Sequence, residues 1–327
     1  MKRLTILLLA SILSVTTAPF VGITRIPLAE LVAPAQLSVG HDIFWGMRVP
    51  RVIAAFLTGA ALAGGGLAFQ VIFRNVLATP FTLGVSSGAA FFVALYFLIG
   101  APFALLGLSG SMVASFLGAL CVLLMIRAFS GMRGGSATDT ILLAGVVMSY
   151  VFSSLIILVQ YLSDFNALFK IARWLMGGFE GVLLAESAPL LLIALACLAS
   201  IVALAPRLNL LAFGDDFAAS HGVPVRSTIL LVLTVTCLMI GAVVAIAGPI
   251  GFVGIIIPQL FRLLWGADAR WVMAGSVLGG GIFLVWCDAF ARIVLAPYEI
   301  PVGVITSLIG GPYFLVLLWN SLRRHVR

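Results

Sequence analysis

The fold is decided by the stretch RVPRVIAAFLTGAALAGGGLAFQVIFRNVLATPFTLGVSSGAA, residues 48–90. Between Val52 and Phe73 it contains no charged residue, and about 18 or more apolar residues are long enough to cross a bilayer as a helix. Comparable runs recur along the whole chain, of whose 327 residues 63% are hydrophobic and only 9% charged. One water-soluble domain cannot bury that much apolar surface, so we predict an all-α membrane protein.

Ten segments are predicted to span the membrane, and the loops between them are too short to fold separately. Residues 1–327 are therefore expected to form one compact bundle. The spans are 4–24, 50–73, 83–100, 103–129, 139–162, 187–205, 228–248, 252–265, 271–295 and 303–320. The eighth is short, but counting it places twelve of the 18 Lys and Arg residues on the side of both termini. Leaving it out places most of them on the opposite side, against the tendency of cytoplasmic loops to be positive. We predict ten spans with both termini in the cytoplasm.

The N-terminal segment starts with Lys2 and Arg3 and stays apolar to about Ile23. A secretory signal peptide starts in the same way. This apolar run, however, is long enough to span a membrane and lacks a clear small-residue cleavage site. We interpret it as the first transmembrane helix.

Most of the notable residues inside the predicted spans are typical of helix packing and do not indicate a catalytic or ligand-binding role. Asp288 and Arg292 stand four residues apart and are expected to pair on one helix face, with a proton relay and partner docking as alternatives. The four cysteines lie in apolar segments at unrelated spacings, as small apolar residues do. Small residues recur at a spacing that lets helices approach closely in lipid. Examples are Gly59/Ala63, Gly84/Gly88, Gly110/Ala114/Gly118 and Gly275/Gly279.

The sequence lacks the residues that several kinds of chemistry require. The two lysines, Lys2 and Lys170, stand outside any G-x-x-x-x-G-K-[ST] phosphate loop. His41, His221 and His325 fall in loops or tails, which gives no metal or haem site within the bundle. We therefore expect no catalytic residue, cofactor or metal, and ATP hydrolysis would belong to another chain. The net charge of +7 reports orientation in a membrane chain and does not indicate nucleic-acid binding.

Further motifs join the opening stretch. They are FGDDFAASHGVPV at 213–225, GPIGFVGIIIPQLFRLLWGADARW at 248–271 and YEIPVGVITSLIGGPYFLVLL at 298–318. Together they resemble the permease family of binding-protein-dependent ABC importers for iron-siderophores, haem and cobalamin, the FecCD-type permeases. The resemblance covers nearly the whole chain in the same order.

This resemblance implies the type II ABC importer architecture in a bacterial or archaeal cytoplasmic membrane. Ten helices per subunit and two permease subunits would surround a central pathway; the pair is expected to be a homodimer, with a heterodimer as the alternative. Two ATP-binding cassette ATPase subunits would bind in the cytoplasm. A soluble or lipid-anchored substrate-binding protein would deliver the cargo from outside.

The resemblance also implies a coupling element at about 206–227 that contacts the ATPase, with a solvated connector as the alternative. Asp215 and Asp216 are expected to cap a short helix, which Gly222 and Pro224 would end. The residues assigned to coupling are Arg207, Gly214, Asp215, Asp216, Ala218, His221, Gly222 and Arg226.

On the outer face, Arg48, Arg51 and Arg292 are expected to pair with acidic residues of the binding protein. Anchoring at the membrane interface by snorkelling is the alternative. The start of the third helix and the run WLMGGFEG at 174–181 are assigned to the pathway or its gate, although the aromatic residues also suit an interfacial belt. The assigned residues are Gly84, Ser86, Ser87, Gly88, Trp174 and Phe179.

Two positions depart from the family pattern. Val76 replaces an expected proline after Asn75, which is expected to loosen that turn, and Gln259 replaces a histidine that often follows Pro258. An ion-gradient-driven secondary transporter is the alternative function, with Asp288 as its candidate intramembrane acid; a channel or membrane scaffold is the third. The cargo stays open among an iron chelate, which ranks first, haem and cobalamin.

Overall fold

The computed structural model describes residues 2–24, 26–27, 30, 39–130 and 137–325. Arg25, Arg133 and Arg327, which entered the charge balance, lie outside the described residues. The helices are α1 (Lys2–Thr17), α2 (Val49–Ile72), α3 (Val85–Ile99), α4 (Gly110–Ser130), α5 (Ala137–Leu162), α6 (Phe165–Leu175), α7 (Leu184–Ala203), α8 (Ala205–Leu211), α9 (Asp215–Ser220), α10 (Val225–Ala247), α11 (Val253–Trp265), α12 (Ala269–Ile293) and α13 (Val302–His325). A 3₁₀ turn, Ala18–Phe20, follows α1, and helical turns at Val39–His41 and Asp42–Arg48 lead into α2.

The predicted all-α membrane fold is confirmed. Seven helices in the described part of the chain are long and apolar enough to cross a membrane, and they coincide with seven of the predicted spans. Three shorter apolar helices, Val85–Ile99, Val253–Trp265 and Val302–Val316, coincide with the other three.

The fourth predicted span, 103–129, starts too early. Ala104–Leu105 and Leu108–Ser109 pair as antiparallel strands β1 and β2, and α4 begins only at Gly110. Leu106 and Gly107 between the strands both have positive φ, which is the backbone of a tight hairpin turn. Hydropathy alone did not separate this apolar hairpin from the helix that follows it.

The bundle is built around α2, which packs along α12 and also contacts α7, α10 and α11. Gly59 of α2 faces Gly280 of α12, and a Cβ atom on either glycine would overlap the carbonyl oxygen of the other. Such close backbone contact stabilises helix pairs in lipid, where apolar burial gives little drive to association. The predicted close packing at Gly59 is therefore confirmed.

The two ends of α12 define the two ends of the bundle. At its start, Asn209 of α8 accepts a hydrogen bond from the backbone N–H of Ala269 (2.8 Å); we call this end, which carries α8 and α9, the short-helix end. At its other end, about 37 Å away for 25 residues, Asp288 meets Arg51; we call this the arginine end.

Helix α1 runs the length of the bundle. Arg3 donates to the carbonyl of Leu264 at the short-helix end (3.2 Å), whereas the carbonyl of Ala18 accepts from Arg292 at the arginine end (3.4 Å). Between them, Trp286 Nε1 donates to Ser14 Oγ (3.0 Å). The segment that resembled a signal peptide thus packs as a helix of the bundle.

Candidate functional site

A buried ion cluster lies at the arginine end. Arg51 Nε donates to both carboxylate oxygens of Asp288 (2.9 and 3.1 Å), and Arg292 Nε lies 3.3 Å from Asp288 Oδ2. A second donor of Arg51 reaches Glu299 (2.8 Å). Asp288 is fully buried, so its charge must be paired, and the two arginines balance the charges of Asp288 and Glu299 together. The predicted pair of Asp288 and Arg292 is confirmed, and Arg51 is an additional partner.

Backbone carbonyls hold the other guanidinium donors. After Phe20 the chain leaves the helix, so its carbonyls are free to accept. Arg48 donates to Pro19 (3.2 Å) and to Thr24 (2.6 Å), and Arg292 donates to Val21 (3.0 Å). The three arginines assigned to docking are therefore held by acceptors of this chain, and Arg48 and Arg292 are buried.

All three arginines line one cavity of about 860 Å³ at this end, which we call the arginine cavity. Arg173, Glu180 and Glu299 complete its charged wall, and Arg173 pairs with Glu180. Four arginines thus face two glutamates, with Asp288 behind them. The cavity wall carries a net positive charge.

A second cavity of about 810 Å³ is lined by hydroxyl and amide groups among apolar side chains; we call it the serine groove. The assigned residues Ser86 and Ser87 both line it. Gly84 instead stands at the N-cap of α3 with a φ of +80°, a backbone conformation that glycine adopts without strain. Gly88 faces α4, where a Cβ atom would overlap Val122. Polar groups on the groove wall are Ser86, Ser87, Ser153, Gln160 and Ser307.

Met176 lines both cavities and therefore lies between them. The glycines that follow it are fixed by their neighbours: Gly178 N–H donates to Ala247 (2.8 Å), and Gly177 accepts from Gly303 N–H (3.3 Å). Sequence reasoning chose Trp174 and Phe179 from this run and missed Met176, which carries no signal beyond its position.

The two aromatic residues of the run differ in placement. Phe179 is fully buried and lines the arginine cavity. Trp174 packs half-buried against the core and lines neither the arginine cavity nor the serine groove.

At the short-helix end, α9 forms the centre of the predicted coupling element. Its N-cap is Gly214, with φ of +126° and no side-chain cap, so the expected capping by Asp215 and Asp216 is wrong. Both stand in the first turn of α9, where a negative charge interacts favourably with the positive end of the helix dipole. Asp215 also forms an ion pair with Arg74. The predicted stop is confirmed: Gly222 has φ of +79°.

Exposed aromatic side chains mark the solvent face of this element. Phe213 is 71% and Phe217 42% exposed, with ring centroids 5.4 Å apart. His221 stacks on Phe217 at 4.3 Å, and Arg207 and Arg226 are exposed as well. Exposed apolar patches mark interaction surfaces. The sequence reasoning missed both phenylalanines, although the spacing of 213, 217 and 221 places them on one helix face.

The turn after α2 does not depend on the missing proline. Asn75 Oδ1 accepts from Leu77 N–H (2.9 Å), and Thr79 N–H donates to Thr82 Oγ1 (3.0 Å). With Val76 in the proline position the turn still has its own hydrogen bonds, so we find no support for a loosened turn.

Within the described residues, no three or more His, Cys, Asp or Glu side chains are placed to hold a metal ion. The four cysteines are free thiols.

The comparisons with known proteins agree on one family. The FecCD transport family matches residues 5–320. The chain is 40% identical over 290 residues to the hemin transport system permease protein HmuU of Yersinia pestis, covering 85% of this chain and 84% of that protein. It is 37% identical over 299 residues to the vitamin B12 import system permease protein BtuC of Salmonella typhimurium, covering 90% and 89%. A solved inward-facing structure of a metal-chelate type ABC transporter superposes with a TM-score of 0.84 at 33% identity, covering 98% of this chain and 99% of that one.

Proposed function

The chain belongs to the FecCD transport family, and on that basis we propose that it is the permease subunit of an ABC importer for an iron chelate, haem or a cobalamin-type cargo. Separate ATPase subunits would drive it. The observation that carries the proposal is the nearly full-length similarity to permeases of a hemin and a vitamin B12 importer.

We propose that the cargo passes from the arginine cavity, past Met176, to the serine groove. The shared lining by Met176 supports this order. The volumes, about 860 and 810 Å³, are in the range of sites that hold bulky organic ligands. A second copy of the chain would complete the pathway as a homodimer.

The arginine end is proposed to receive the substrate-binding protein. Arg48, Arg51 and Arg292 are held in place before the partner arrives, so little side-chain ordering is needed when acidic groups approach. Such charges increase the association rate more than the final affinity. Arg48→Gln removes one of the three charges and leaves the Asp288 cluster intact, because among the described residues Arg48 donates only to the carbonyls of Pro19 and Thr24. It should weaken docking, and raising the ionic strength should weaken wild-type docking. Unchanged docking by Arg48→Gln contradicts the proposal; Lys170→Gln, an exposed change on α6, is the control.

The short-helix end is proposed to bind the ATPase. The stacked rings of Phe213 and Phe217 give it an apolar contact surface, and Arg207 and Arg226 supply charge. This end would face the cytoplasm with both termini, since α1 starts there and α13 runs toward it from the arginine end.

The decisive experiment reconstitutes the chain with its ATPase and binding protein in vesicles and measures cargo uptake. We expect uptake that requires both ATP and the binding protein. Uptake by the chain alone that collapses when the proton gradient is dissipated would instead indicate a secondary transporter.

A further inference from the structure

We propose that this chain carries a binding site for an anionic phospholipid at the short-helix end. The headgroup would lie between Lys2, Arg3, Trp265 and Trp271, and the acyl chains would lie in a groove formed by α1, α11, α12 and α13. The inference rests on the proposed function in one respect, that the short-helix end faces the cytoplasmic leaflet.

The headgroup part is a cavity of about 390 Å³ lined by Lys2, Arg3, Leu4, Trp265 and Trp271. Its two cations come from the first turn of α1, and its two indoles flank the loop between α11 and α12. Indole rings favour the level of lipid headgroups. The composition of this wall fits a phosphate group at a membrane surface.

Among the described residues, no carboxylate pairs with the two cations of this cavity. Arg3 donates to the carbonyl of Leu264 (3.2 Å), which holds its guanidinium in place without neutralising it. Within the described part of the chain, neither Lys2 nor Arg3 forms an ion pair. The neighbouring Arg270 differs, because Asp268 lies 2.7 Å from it, and the hydrogen bond from Arg270 lowers the pKa of the Asp268 carboxyl.

The acyl part is an almost wholly apolar groove of about 730 Å³. Its wall includes Leu7, Phe261, Ile282, Trp286 and Phe290. A groove of this kind does not suit free phosphate, whereas it suits hydrocarbon chains.

The two parts adjoin in the order that a phospholipid requires. Leu4 lines the headgroup cavity and Leu7, one turn along α1, lines the groove. On α11, Trp265 lines the headgroup cavity and Phe261 lines the groove, and their ring centroids are 4.9 Å apart. The cationic cavity lies at the membrane surface, and the groove leads from it into the bilayer.

The test measures lipid binding to the purified full-length chain by native mass spectrometry. Phosphatidylglycerol and phosphatidylcholine with identical acyl chains serve as probes. We expect phosphatidylglycerol to bind more tightly. Lys2→Gln with Arg3→Gln should weaken phosphatidylglycerol binding by roughly 25-fold, since each cation beside an anionic lipid contributes about fivefold, and should leave phosphatidylcholine binding unchanged.

Two matched variants separate charge from shape. Lys170→Gln with Arg173→Gln removes two cations from the arginine end and should leave binding unchanged. Ile282→Trp fills the groove without altering charge and should weaken both lipids.

Equal binding of the two lipids, or full phosphatidylglycerol binding by the Lys2→Gln/Arg3→Gln variant, overturns the proposal. Displacement of the lipid by inorganic phosphate at equal concentration would assign the cavity to free phosphate, and loss of a chain dimer in Ile282→Trp would assign the groove to a second copy; each also overturns it. ATP-dependent uptake by the same preparations tests the proposed function separately, so failure of lipid binding alone is distinguishable.

Discussion

Asp288 is a carboxylate without access to solvent that two arginines hold between α2 and α12. Removing one partner of a buried ion cluster leaves the others uncompensated. We expect Asp288→Asn to lower the free energy of unfolding by about 3–5 kcal/mol, measured by denaturant unfolding of the purified chain in detergent.

Glu299→Gln is the matched control, because Glu299 also pairs with Arg51 but is partly exposed (32%). Its loss should cost at most about 1 kcal/mol. Equal losses in both variants would contradict the assignment of Asp288 as the centre of the cluster.

The sequence predicted only part of this cluster. A pair of residues four positions apart on one helix can be predicted from their spacing, so the contact between Asp288 and Arg292 was predicted. Arg51 is 237 residues from Asp288, and nothing local connects them. The same limit applies to Met176, whose position between two cavities depends on the packing of separate segments.

Among the elements, α9 permits a direct test of coupling. Ala218 is fully buried, and its N–H donates to Gly214 (3.0 Å). Ala218→Pro removes that bond and costs the helix about 3 kcal/mol or more. We expect the assembled importer to keep hydrolysing ATP while uptake falls at least tenfold.

Ala219→Ser is the control, since Ala219 is exposed on the same helix. Wild-type uptake by Ala218→Pro would show that α9 does not transmit motion from the ATPase.

The contact between α2 and α12 gives a second prediction for an element. A Cβ atom on Gly280 would overlap the Gly59 carbonyl and Ala63, so Gly280→Ala should lower the unfolding free energy by about 1–3 kcal/mol. Thermal unfolding in detergent measures the loss.

Gly46→Ala provides the contrast, because Gly46 lies exposed in the helical turn Asp42–Arg48 and a Cβ atom there meets nothing within 4 Å. Alanine should be neutral there or stabilise that turn by up to about 1 kcal/mol. Equal destabilisation by both substitutions would rule out the close approach as the cause.

Elements were predictable where apolar runs are long, as in α2, α10 and α12. The hairpin Ala104–Ser109 was missed because its residues are as apolar as those of α4, and only the turn at Leu106 and Gly107 separates them. The N-cap of α9 was misassigned for a different reason: Gly214 adopts a backbone conformation that leaves both aspartates inside the first turn.

For the whole molecule, the proposed topology predicts which residues reach each side of the membrane. Leu106, at the tip of the hairpin, is 86% exposed and should lie outside, whereas Ser220 of α9 should lie in the cytoplasm. A membrane-impermeant maleimide added to intact cells should label Leu106→Cys and should label Ser220→Cys only after permeabilisation.

Buried Cys237 and Cys287 should react in neither case, and the unsubstituted chain measures the remaining background. Labelling of Ser220→Cys in intact cells would reverse the orientation. The number of spans is a prediction from hydropathy and charge balance together, since neither alone decided the short eighth segment.

Arg51 and Asp288 touch in the folded protein but are 237 positions apart in the sequence, and this distance along the chain has a consequence for biosynthesis. The ribosome adds roughly 5–20 residues per second, so the 237 residues between them require roughly 10–50 seconds. During that interval the nascent α2 is already made, but Asp288 and Glu299, the two carboxylates that pair with Arg51 in the folded protein, are not. A chain that stops before α12 keeps this arginine without either of these partners.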